Sequence, residues 1–328
     1  MQTRAGRGGF LAAAVLVFLL AACGPRVEGM GPVTTAPRIE NNMLVAADGA
    51  RLPLRQWSPR GAPTAVVLAL HGFNDYSNAF QDPARRWADA GIKTYAFDQR
   101  GFGLGPHRGI WPGTEAMVGD LVTAMRLVRE RHPGLPLVLV GESMGAAVMM
   151  VALGGAGLPD ADRIVLVAPA VWGRETMPLY QRAGLAVGSF AFPWLEVSGR
   201  KMGIRASDNI EMLRGLGRDP LVIKRTRVDS LHGLVDLMDA AVEASPRLTG
   251  DMLILFGEKE ELIPARSWRT MVARLPEEGR WRLALYQDGY HMLMRDLDAD
   301  TVNDDIIAYV TAPEDPLPSG QEQPRDGR

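Results

Sequence analysis

The sequence of 328 residues contains one cysteine, five histidines and only 7% aromatic residues. A single cysteine cannot form a disulfide within the chain, so a disulfide-stabilised fold is excluded. Acidic residues (38) slightly outnumber lysine and arginine (36), and no basic run is present. Nucleic acid is therefore not an expected partner, because its recognition needs clustered positive charge. The sequence also lacks a metal-ligand cluster, a phosphate-binding loop and a dinucleotide fingerprint, so we expect no metal and no cofactor.

A run of 13 small or apolar residues, Phe10 to Ala22, follows a segment that carries Arg4 and Arg7 and no acid. Such a run is too short to span a bilayer but is typical of a secretory signal. It ends in Leu-Ala-Ala-Cys, which resembles the lipobox of bacterial lipoproteins, where the cysteine is lipidated and begins the mature chain. The alternative is an ordinary cleaved signal with an incidental cysteine. We predict a signal peptide over residues 1–22 and a lipid anchor at Cys23.

The lipobox resemblance implies a bacterial membrane protein that is anchored by lipid and faces the periplasm. Gly24 follows the cysteine, and under the sorting rule for such proteins a residue other than aspartate favours the outer membrane over the inner one. Residues 23–41 are then the lipidated cysteine and a flexible tether, because this segment is rich in Pro, Gly and Thr. Residues 312–328 are polar and proline-rich, which predicts a disordered tail.

Between these ends, short apolar runs alternate with longer helical patterns such as 114–132 and 265–275. Near-continuous apolar runs are typical of parallel strands covered on both faces, and their alternation with helices predicts an open, doubly wound α/β sheet. Two further candidates, 43–46 and 52–57, predict a hairpin at the sheet edge. Residues 42–311 thus form one domain, with a helical insertion at about 171–233. The six predicted parallel strands are 65–70, 93–97, 136–140, 163–168, 252–256 and 282–286.

The stretch Gly-Glu-Ser-Met-Gly, residues 141–145, directly follows one of these apolar runs and opens a helical pattern. A strand that turns at once into a helix strains the residue at the apex, and side chains two positions away would collide, which explains Gly141 and Gly145. The turn also leaves the amide of Met144 at a helix N-terminus, where it can stabilise negative charge beside Ser143. A serine nucleophile needs a histidine base and an acid to orient that base.

Of the five histidines, His291 follows the last predicted strand, at the edge of the sheet where parallel strands place residues in a common crevice. It is therefore our candidate base. The other four, at positions 71, 107, 132 and 232, are interpreted as structural or solvated residues.

The joint order of "HGF", "DQRGFG", "GESMG", "GEKEELIP" and "DGYHMLM" resembles the α/β-hydrolase superfamily, and within it the monoacylglycerol lipase and lysophospholipase-like group. The resemblance covers roughly residues 43–310. It implies an α/β-hydrolase fold with a helical cap. It also implies a second oxyanion donor at the amide after "HG", which is Phe73 here, paired with Met144. "DQRGFG" matches a bracing loop in that group, and we expect it to be structural.

The acid departs from the group's usual pattern. Members usually carry an aspartate three residues after the glycine that ends the penultimate strand, and counting from Gly257 gives Glu260. The residues that follow, 262–264, keep the group's register, so a shift is disfavoured. Glu258 and Glu261 remain rivals, because both lie in the same loop.

The insertion contains Phe190, Phe192 and Trp194 close together. These aromatics could simply pack the insertion onto the sheet. The resemblance instead favours a cap whose apolar inner face binds an acyl chain and whose outer face can touch lipid. On that interpretation the three aromatics are substrate-binding residues.

The motifs together predict a serine hydrolase that cleaves carboxylic esters of monoacylglycerols or lysophospholipids, with Ser143, Glu260 and His291 as the catalytic set. A lipid or ester substrate and the membrane are its expected partners. Two alternatives stay open: a general carboxylesterase for small soluble esters, and a non-catalytic binding lipoprotein that keeps the fold. A serine nucleophile excludes the dehalogenase and epoxide hydrolase chemistry of this fold, which uses an aspartate.

Overall fold

The computed structural model describes residues 24–155, 158, 161–199 and 203–324. The predicted signal peptide and the predicted lipidation site, Cys23, lie outside the described residues. Within the described part of the chain, no helix combines the length and the apolarity that crossing a membrane requires.

A sheet of nine strands forms the centre of the described part of the chain. The strands are β1 (Arg38–Glu40), β2 (Met43–Val45), β3 (Arg51–Trp57), β4 (Ala65–Leu70), β5 (Ile92–Phe97), β6 (Leu137–Glu142), β7 (Arg163–Val167), β10 (Met252–Gly257) and β11 (Trp281–Tyr286), while β8 (Glu196–Val197) and β9 (Thr226–Arg227) form a separate pair. Their order in the sheet is β1-β2-β3-β5-β4-β6-β7-β10-β11. The strands β1 to β3 pair in antiparallel fashion at one edge, β3 pairs antiparallel with β5, and the remaining pairings are parallel. Each predicted strand is present within two residues of its expected bounds, and the predicted edge hairpin is β2–β3.

The two faces of the sheet are covered by different helices. All six residues of β4 are buried, and alternate ones join two separate apolar clusters, with Leu68 in one and Val67 in the other. This two-sided burial is why the parallel strands are continuously apolar. The helices are α1 (Gln81–Asp89), α2 (Thr114–Arg131), α3 (Met144–Gly154), α4 (Leu179–Ala191), α5 (Ile210–Arg218), α6 (Val228–Ala244), α7 (Ala265–Val272) and α8 (Ala299–Thr311). Buried residues of α1 and α8 belong to one cluster, and those of α2, α3, α6 and α7 to the other.

The insertion between β7 and β10 is smaller than predicted. It contains α4, α5 and a two-stranded antiparallel pair, β8 (Glu196–Val197) with β9 (Thr226–Arg227). The prediction extended it to residue 233, but α6 begins at Val228 and packs against α3 beside the sheet. The apolar residues Leu237 and Ala241 of α6 are fully buried there, so this helix belongs to the main layer of the domain. We call the segment from α4 to β9 the cap.

The segment predicted as a flexible tether lies against the domain from its first described residues. Val27 forms a parallel bridge with Trp111, and the amide of Glu28 donates to the carbonyl oxygen of Trp111 at 2.9 Å. Further along, β1 joins the sheet edge. The prediction of flexibility was wrong for these residues, because backbone hydrogen bonds to distant parts of the chain hold them.

The predicted disordered tail is also ordered in its described part, 312–324. Glu322 pairs with the guanidinium of Arg282 at 2.7 Å, and Ser319 donates to the buried carboxylate of Asp305. Backbone bonds join this segment to the edge strand β11, which covers an otherwise open sheet edge. Composition alone predicted disorder, whereas these long-range partners fix the segment in place.

Candidate active site

Ser143 occupies a one-residue turn between β6 and α3. Its backbone has φ 53° and ψ −112°, a conformation that costs energy for any residue other than glycine. The turn is held by three hydrogen bonds: the Ser143 amide donates to the carbonyl oxygen of Val167, and the Ser143 carbonyl oxygen accepts from the amides of Ala147 and Ala170. The predicted sharp strand-to-helix turn is therefore present, with the serine at its apex.

The glycines on either side of this turn are required by space. A Cβ on Gly141 would lie 2.6 Å from the backbone nitrogen of Ala146, and one on Gly145 would overlap the carbonyl oxygen of Leu70. Both contacts are with backbone atoms that cannot move aside. Glycine at position 141 allows β6 and α3 to approach closely around Ser143, and glycine at position 145 allows α3 to approach the end of β4.

His291 and Glu260 meet at the carboxyl ends of β11 and β10. Nδ1 of His291 lies 2.6 Å from Oε2 of Glu260, and both side chains are buried. The other carboxylate oxygen, Oε1, accepts hydrogen bonds from the amides of Leu262 and Ile263 at 2.6 and 3.1 Å. These two backbone hydrogen bonds hold the Glu260 carboxylate in place, and the carboxylate in turn fixes the orientation of the imidazole.

The electrostatics of this pair favour an ion pair. Burial by itself lowers the pKa of His291, but the charge and hydrogen bond of Glu260 outweigh it, so the net pKa lies above the ordinary histidine value. Burial would likewise raise the pKa of Glu260, yet His291 and the two backbone amides lower it below its usual value. The two shifts agree in direction: the carboxylate stabilises a protonated imidazole.

The rival acids and the other histidines lie elsewhere. Glu258 and Glu261 are exposed, and Glu261 accepts from the backbone amide of Arg205. His71 is fully buried, and its Nε2 accepts from the amide of Gln99 at 3.0 Å. That bond ties it to the predicted bracing loop, which agrees with a structural role.

A cavity of about 490 Å³ lies beside Ser143 and His291. Most of its wall is apolar and comes from the loop after β7, from the cap, from α6 and from the loop after β10, which suits an acyl chain. Its apolar lining includes Trp172, Met177, Leu185, Leu234, Val235, Met238 and Ile263. Phe73 also lines the cavity, while the side chain of Met144 is buried beneath the turn.

The backbone amides of Phe73 and Met144 follow β4 and β6 respectively, so they belong to the same edge of the sheet as Ser143. Among the described residues, neither amide donates a hydrogen bond to another protein group. Met144 is the first residue of α3, where helix N–H groups are unpaired and attract negative charge. Both donors are available to a bound oxyanion.

The predicted substrate-binding aromatics do not line the cavity. Phe190, Phe192 and Trp194 are each more than half exposed and lie at the end of α4 and in the loop that follows it. From α4, the cavity wall instead receives Gln181 and Leu185, one turn apart. The helix α4 ends at Ala191, so its periodicity turns only Phe190 away from that wall, and a substrate-binding role of the three aromatics stays a prediction.

A buried ionic cluster that the sequence did not reveal lies next to the nucleophile. The guanidinium of Arg295 pairs with Asp75 at 2.8 Å and with Glu142 at 2.9 Å, and all three side chains are buried. Burial raises the pKa of Glu142 although Arg295 opposes the shift. The cluster joins the loops that carry Phe73, Ser143 and His291. The charges of these three residues were the only sign of the cluster in the sequence, where the residues lie far apart.

The described residues contain no group of histidine, cysteine and acidic side chains that could hold a metal ion. The chemistry available to the site is that of a serine hydroxyl, a paired imidazole and a carboxylate. An acyl group bound in the cavity would meet these groups and the two free amides together.

Comparisons with known proteins agree with this geometry. A family model described as "Serine aminopeptidase, S33" (Hydrolase_4) matches residues 61–298. The monoacylglycerol lipase of Mycolicibacterium smegmatis is 26% identical over 80% of this chain and 94% of its own length. The human monoglyceride lipase is 25% identical over 77% of this chain and 84% of its own length.

Solved structures share the fold at lower identity. The monoacylglycerol lipase of Paleococcus ferrophilus has a TM-score of 0.65 at 20% identity, covering 80% of this chain and 98% of that one. A monoglyceride lipase variant from Saccharomyces cerevisiae has a TM-score of 0.68 at 18% identity, covering 85% and 97%. These likenesses confirm the predicted α/β-hydrolase fold.

Proposed function

The chain belongs to the Hydrolase_4 family of α/β-hydrolases and is a serine ester hydrolase, and from this premise we propose that its substrates are monoacylglycerols or lysophospholipids. The observation that carries the proposal is the juxtaposition of Ser143 and the His291–Glu260 pair at one wall of an apolar cavity. Relatives named monoacylglycerol lipase support the choice of substrate.

In the proposed reaction, Oγ of Ser143 attacks the ester carbonyl carbon while His291 takes its proton. The amides of Phe73 and Met144 stabilise the oxyanion of the tetrahedral intermediate. When this intermediate collapses, the imidazolium gives the proton to the departing alcohol, and an acyl-serine remains. Water then attacks the acyl-serine with the same base, which releases the fatty acid. Glu260 keeps the imidazole oriented and stabilises its charged form throughout.

The cavity supports a substrate with one apolar and one polar end. Apolar side chains from the cap and α6 can receive the acyl chain, whereas Asp75, Glu142 and Arg295 line a polar part of the same cavity. Each methylene removed from water contributes about 0.8 kcal/mol. A long acyl chain therefore gains several kcal/mol of binding that a short soluble ester lacks.

A substrate panel tests this proposal. Purified protein is expected to react with a fluorophosphonate probe at Ser143 and to hydrolyse monoacylglycerols or lysophospholipids of long chain with higher kcat/KM than short soluble esters. A preference for short esters would favour the general carboxylesterase instead. If the protein showed neither labelling nor hydrolysis, the remaining interpretation would be a non-catalytic binding protein.

We further propose that Cys23 carries the lipid anchor, and that the protein faces the periplasm from the outer membrane. The lipobox-like sequence supports this proposal. Stable attachment requires more than one acyl chain, so the wild type should stay on membranes through a high-salt wash and Cys23→Ser should not be lipidated. Recovery of the wild type wholly in the soluble periplasmic fraction would contradict the anchor.

A further inference from the structure

The Phe73 amide belongs to a tight turn that lies directly against the nucleophile. Residues 72–75 form this turn, which is closed by the amide of Asp75, donating to the carbonyl oxygen of Gly72 at 3.3 Å. A Cβ on Gly72 would lie 3.4 Å from the Cβ of Ser143. Asn74, the third residue of the turn, has φ 65°, a value that glycine and asparagine adopt most readily. A glycine at position 74 would therefore suit the backbone of the turn equally well.

The direction of the Phe73 N–H depends on the contacts of the residue before it. The peptide between Gly72 and Phe73 is planar and trans, so its carbonyl oxygen and its N–H point in opposite directions. The carbonyl oxygen of Gly72 accepts from the amide of Asp75 and, at 2.8 Å, from Nδ1 of the buried His71. In the part of the chain that the structure describes, the Phe73 amide itself has no protein acceptor. The turn therefore sets the direction of this oxyanion donor.

The side chain of Asn74 reaches from the turn to the cap. Its Nδ2 donates to the hydroxyl oxygen of Thr226, in β9, at 2.7 Å, and its carbonyl oxygen accepts from the amide of Ile223 at 2.9 Å. Thr226 is 8% exposed, so little water is available to replace a lost partner there. The backbone of Asn74 thus serves the turn, whereas its side chain serves a contact with the cap that glycine could not make.

Further bonds hold the loop that contains this turn. The phenol of Tyr76 donates to the carboxylate of Asp219, in the cap, at 2.8 Å. The carboxylate of Asp75 pairs with Arg295, in the loop after β11 that also carries the catalytic imidazole. The loop is therefore held by the cap and by the loop of the base together. A displacement of the cap is transmitted to the turn through these bonds.

We propose that Asn74 is a positioning residue of the oxyanion hole, through which Thr226 of the cap aims the Phe73 amide. The inference rests on the oxyanion role of Phe73 in the function proposed above, but not on the identity of the lipid substrate. Asn74 lines the cavity, yet its amide nitrogen is engaged with Thr226, so it acts on the donor. The cap then contributes to stabilising the transition state, and its contact with Asn74 should govern kcat more than KM.

Two variants remove the bond from either side without straining the turn. Asn74→Gly deletes the side chain but keeps a residue that tolerates a positive φ, and Thr226→Val replaces the hydroxyl by a methyl group of similar size. Each should lower kcat for a soluble p-nitrophenyl ester about ten-fold, since a misdirected oxyanion donor costs less than a missing one. KM should change by less than about two-fold. Thr226→Ser retains the hydroxyl and should recover most of the lost activity.

A transition-state analogue separates stabilisation of the oxyanion from binding in the cavity. With an alkyl trifluoromethyl ketone, Oγ of Ser143 adds to the carbonyl carbon, His291 takes the proton, and the ketone oxygen becomes an oxyanion. The alcohol obtained by reducing the same ketone has the same shape but cannot form this adduct. We expect the inhibition constant of the ketone to rise about ten-fold in Asn74→Gly and in Thr226→Val, in step with kcat. That of the alcohol should stay at the wild-type value.

The matched structural control is Ser230→Ala. Ser230 lies four positions after Thr226, is buried, and donates its hydroxyl to the carbonyl oxygen of Gly109 at 2.9 Å, away from the turn at Asn74. Its loss should lower the melting temperature, while kcat and the inhibition constant of the ketone stay at wild-type values. An equal loss of kcat in Ser230→Ala would overturn the proposal, because a general loosening of the structure would then explain the other variants.

The remaining outcomes are equally decisive. The double variant Asn74→Gly/Thr226→Val should lose no more activity than either single variant, because both changes remove the same bond. Additive losses, an unchanged kcat in the single variants, or equal weakening of the ketone and the alcohol would each overturn the proposal. A wild type that cleaves the p-nitrophenyl ester but no monoacylglycerol or lysophospholipid would refute the proposed substrates alone. A wild type that neither cleaves esters nor binds the ketone would refute both.

Discussion

Oε2 of Glu260 and Nδ1 of His291 lie 2.6 Å apart, although 31 positions separate the two residues in the chain. They meet because β10 and β11 are parallel neighbours, with Gly257 opposite Tyr286. The loops after these strands therefore begin side by side. Ser143 and Phe73 follow β6 and β4 at the same edge. The order of the strands in the sheet therefore brings the whole catalytic set together.

The role of Glu260 predicts a ranked series of variants. Glu260→Gln presents an amide that can hold the wrong imidazole tautomer, so kcat should fall by roughly a thousand-fold or more. Glu260→Asp keeps the charge but withdraws it by one methylene, and a loss of about ten- to a hundred-fold is expected. Glu258→Gln and Glu261→Gln, at exposed positions, should stay near wild type. Steady-state kinetics on one ester gives the ranking, and a crippled Glu258→Gln or Glu261→Gln would show the acid to be misassigned.

Removal of the nucleophile should abolish turnover without unfolding the protein. Ser143→Ala is expected to lower kcat by on the order of a million-fold and to eliminate fluorophosphonate labelling. Its melting temperature should remain at or above that of the wild type, because alanine removes only a hydroxyl from a strained turn. Comparable esterase activity in this variant would exclude Ser143 from the mechanism.

Glu142 should influence the pH dependence of the reaction. The groups that act on His291 are Glu260 and Glu142, which raise its pKa, and Arg295, which lowers it. The base must be neutral, so activity is lost as the pH falls through this pKa. Glu142→Gln removes a negative charge and lowers the pKa of His291, and the acid limb of kcat/KM should move to lower pH.

The pH profile of Glu258→Gln provides the control for that shift, since this residue is exposed in a neighbouring loop. Its acid limb should coincide with the wild-type one. An unmoved limb in Glu142→Gln would mean that Glu142 is already protonated where His291 titrates.

Arg295 should matter more for stability than an exposed arginine. Arg295→Met leaves the carboxylates of Asp75 and Glu142 buried without a cation, which should cost about 3–5 kcal/mol of unfolding free energy. The comparison is Arg126→Met, which breaks the exposed pair with Glu130 and should cost less than about 1 kcal/mol. Urea denaturation measures both. Similar values for the two variants would contradict the buried cluster.

The ordered tail makes a stability prediction of its own. Leu317 is 4% exposed and joins the core cluster that contains α8. Leu317→Ala should therefore destabilise the protein by about 2–5 kcal/mol, whereas Leu297→Ala, at a position 73% exposed, should have little effect. Equal melting temperatures for the two variants would instead support the disordered tail that composition suggested.

The sequence by itself determined the parallel strands and the turn at Ser143. The apolar runs are continuous because they require cover on two faces, and Gly141 is demanded by backbone contacts within the strand-to-helix turn, although Gly145 is demanded by the neighbouring strand β4 at Leu70. The resemblance to the α/β-hydrolases pointed to Glu260, three residues after Gly257, and left Glu258 and Glu261 as rivals.

Only the tertiary structure decided which distant groups meet. The pairing of Arg295 with Asp75 and Glu142 and the docking of Val27 on Trp111 depend on where loops from separate strands converge. The outward direction of the cap aromatics was open for the same reason, since apolar character does not say which neighbour a side chain has. Burial and charge pairing depend on which residues lie close together in space. The sequence sets those distances only once the whole chain has folded.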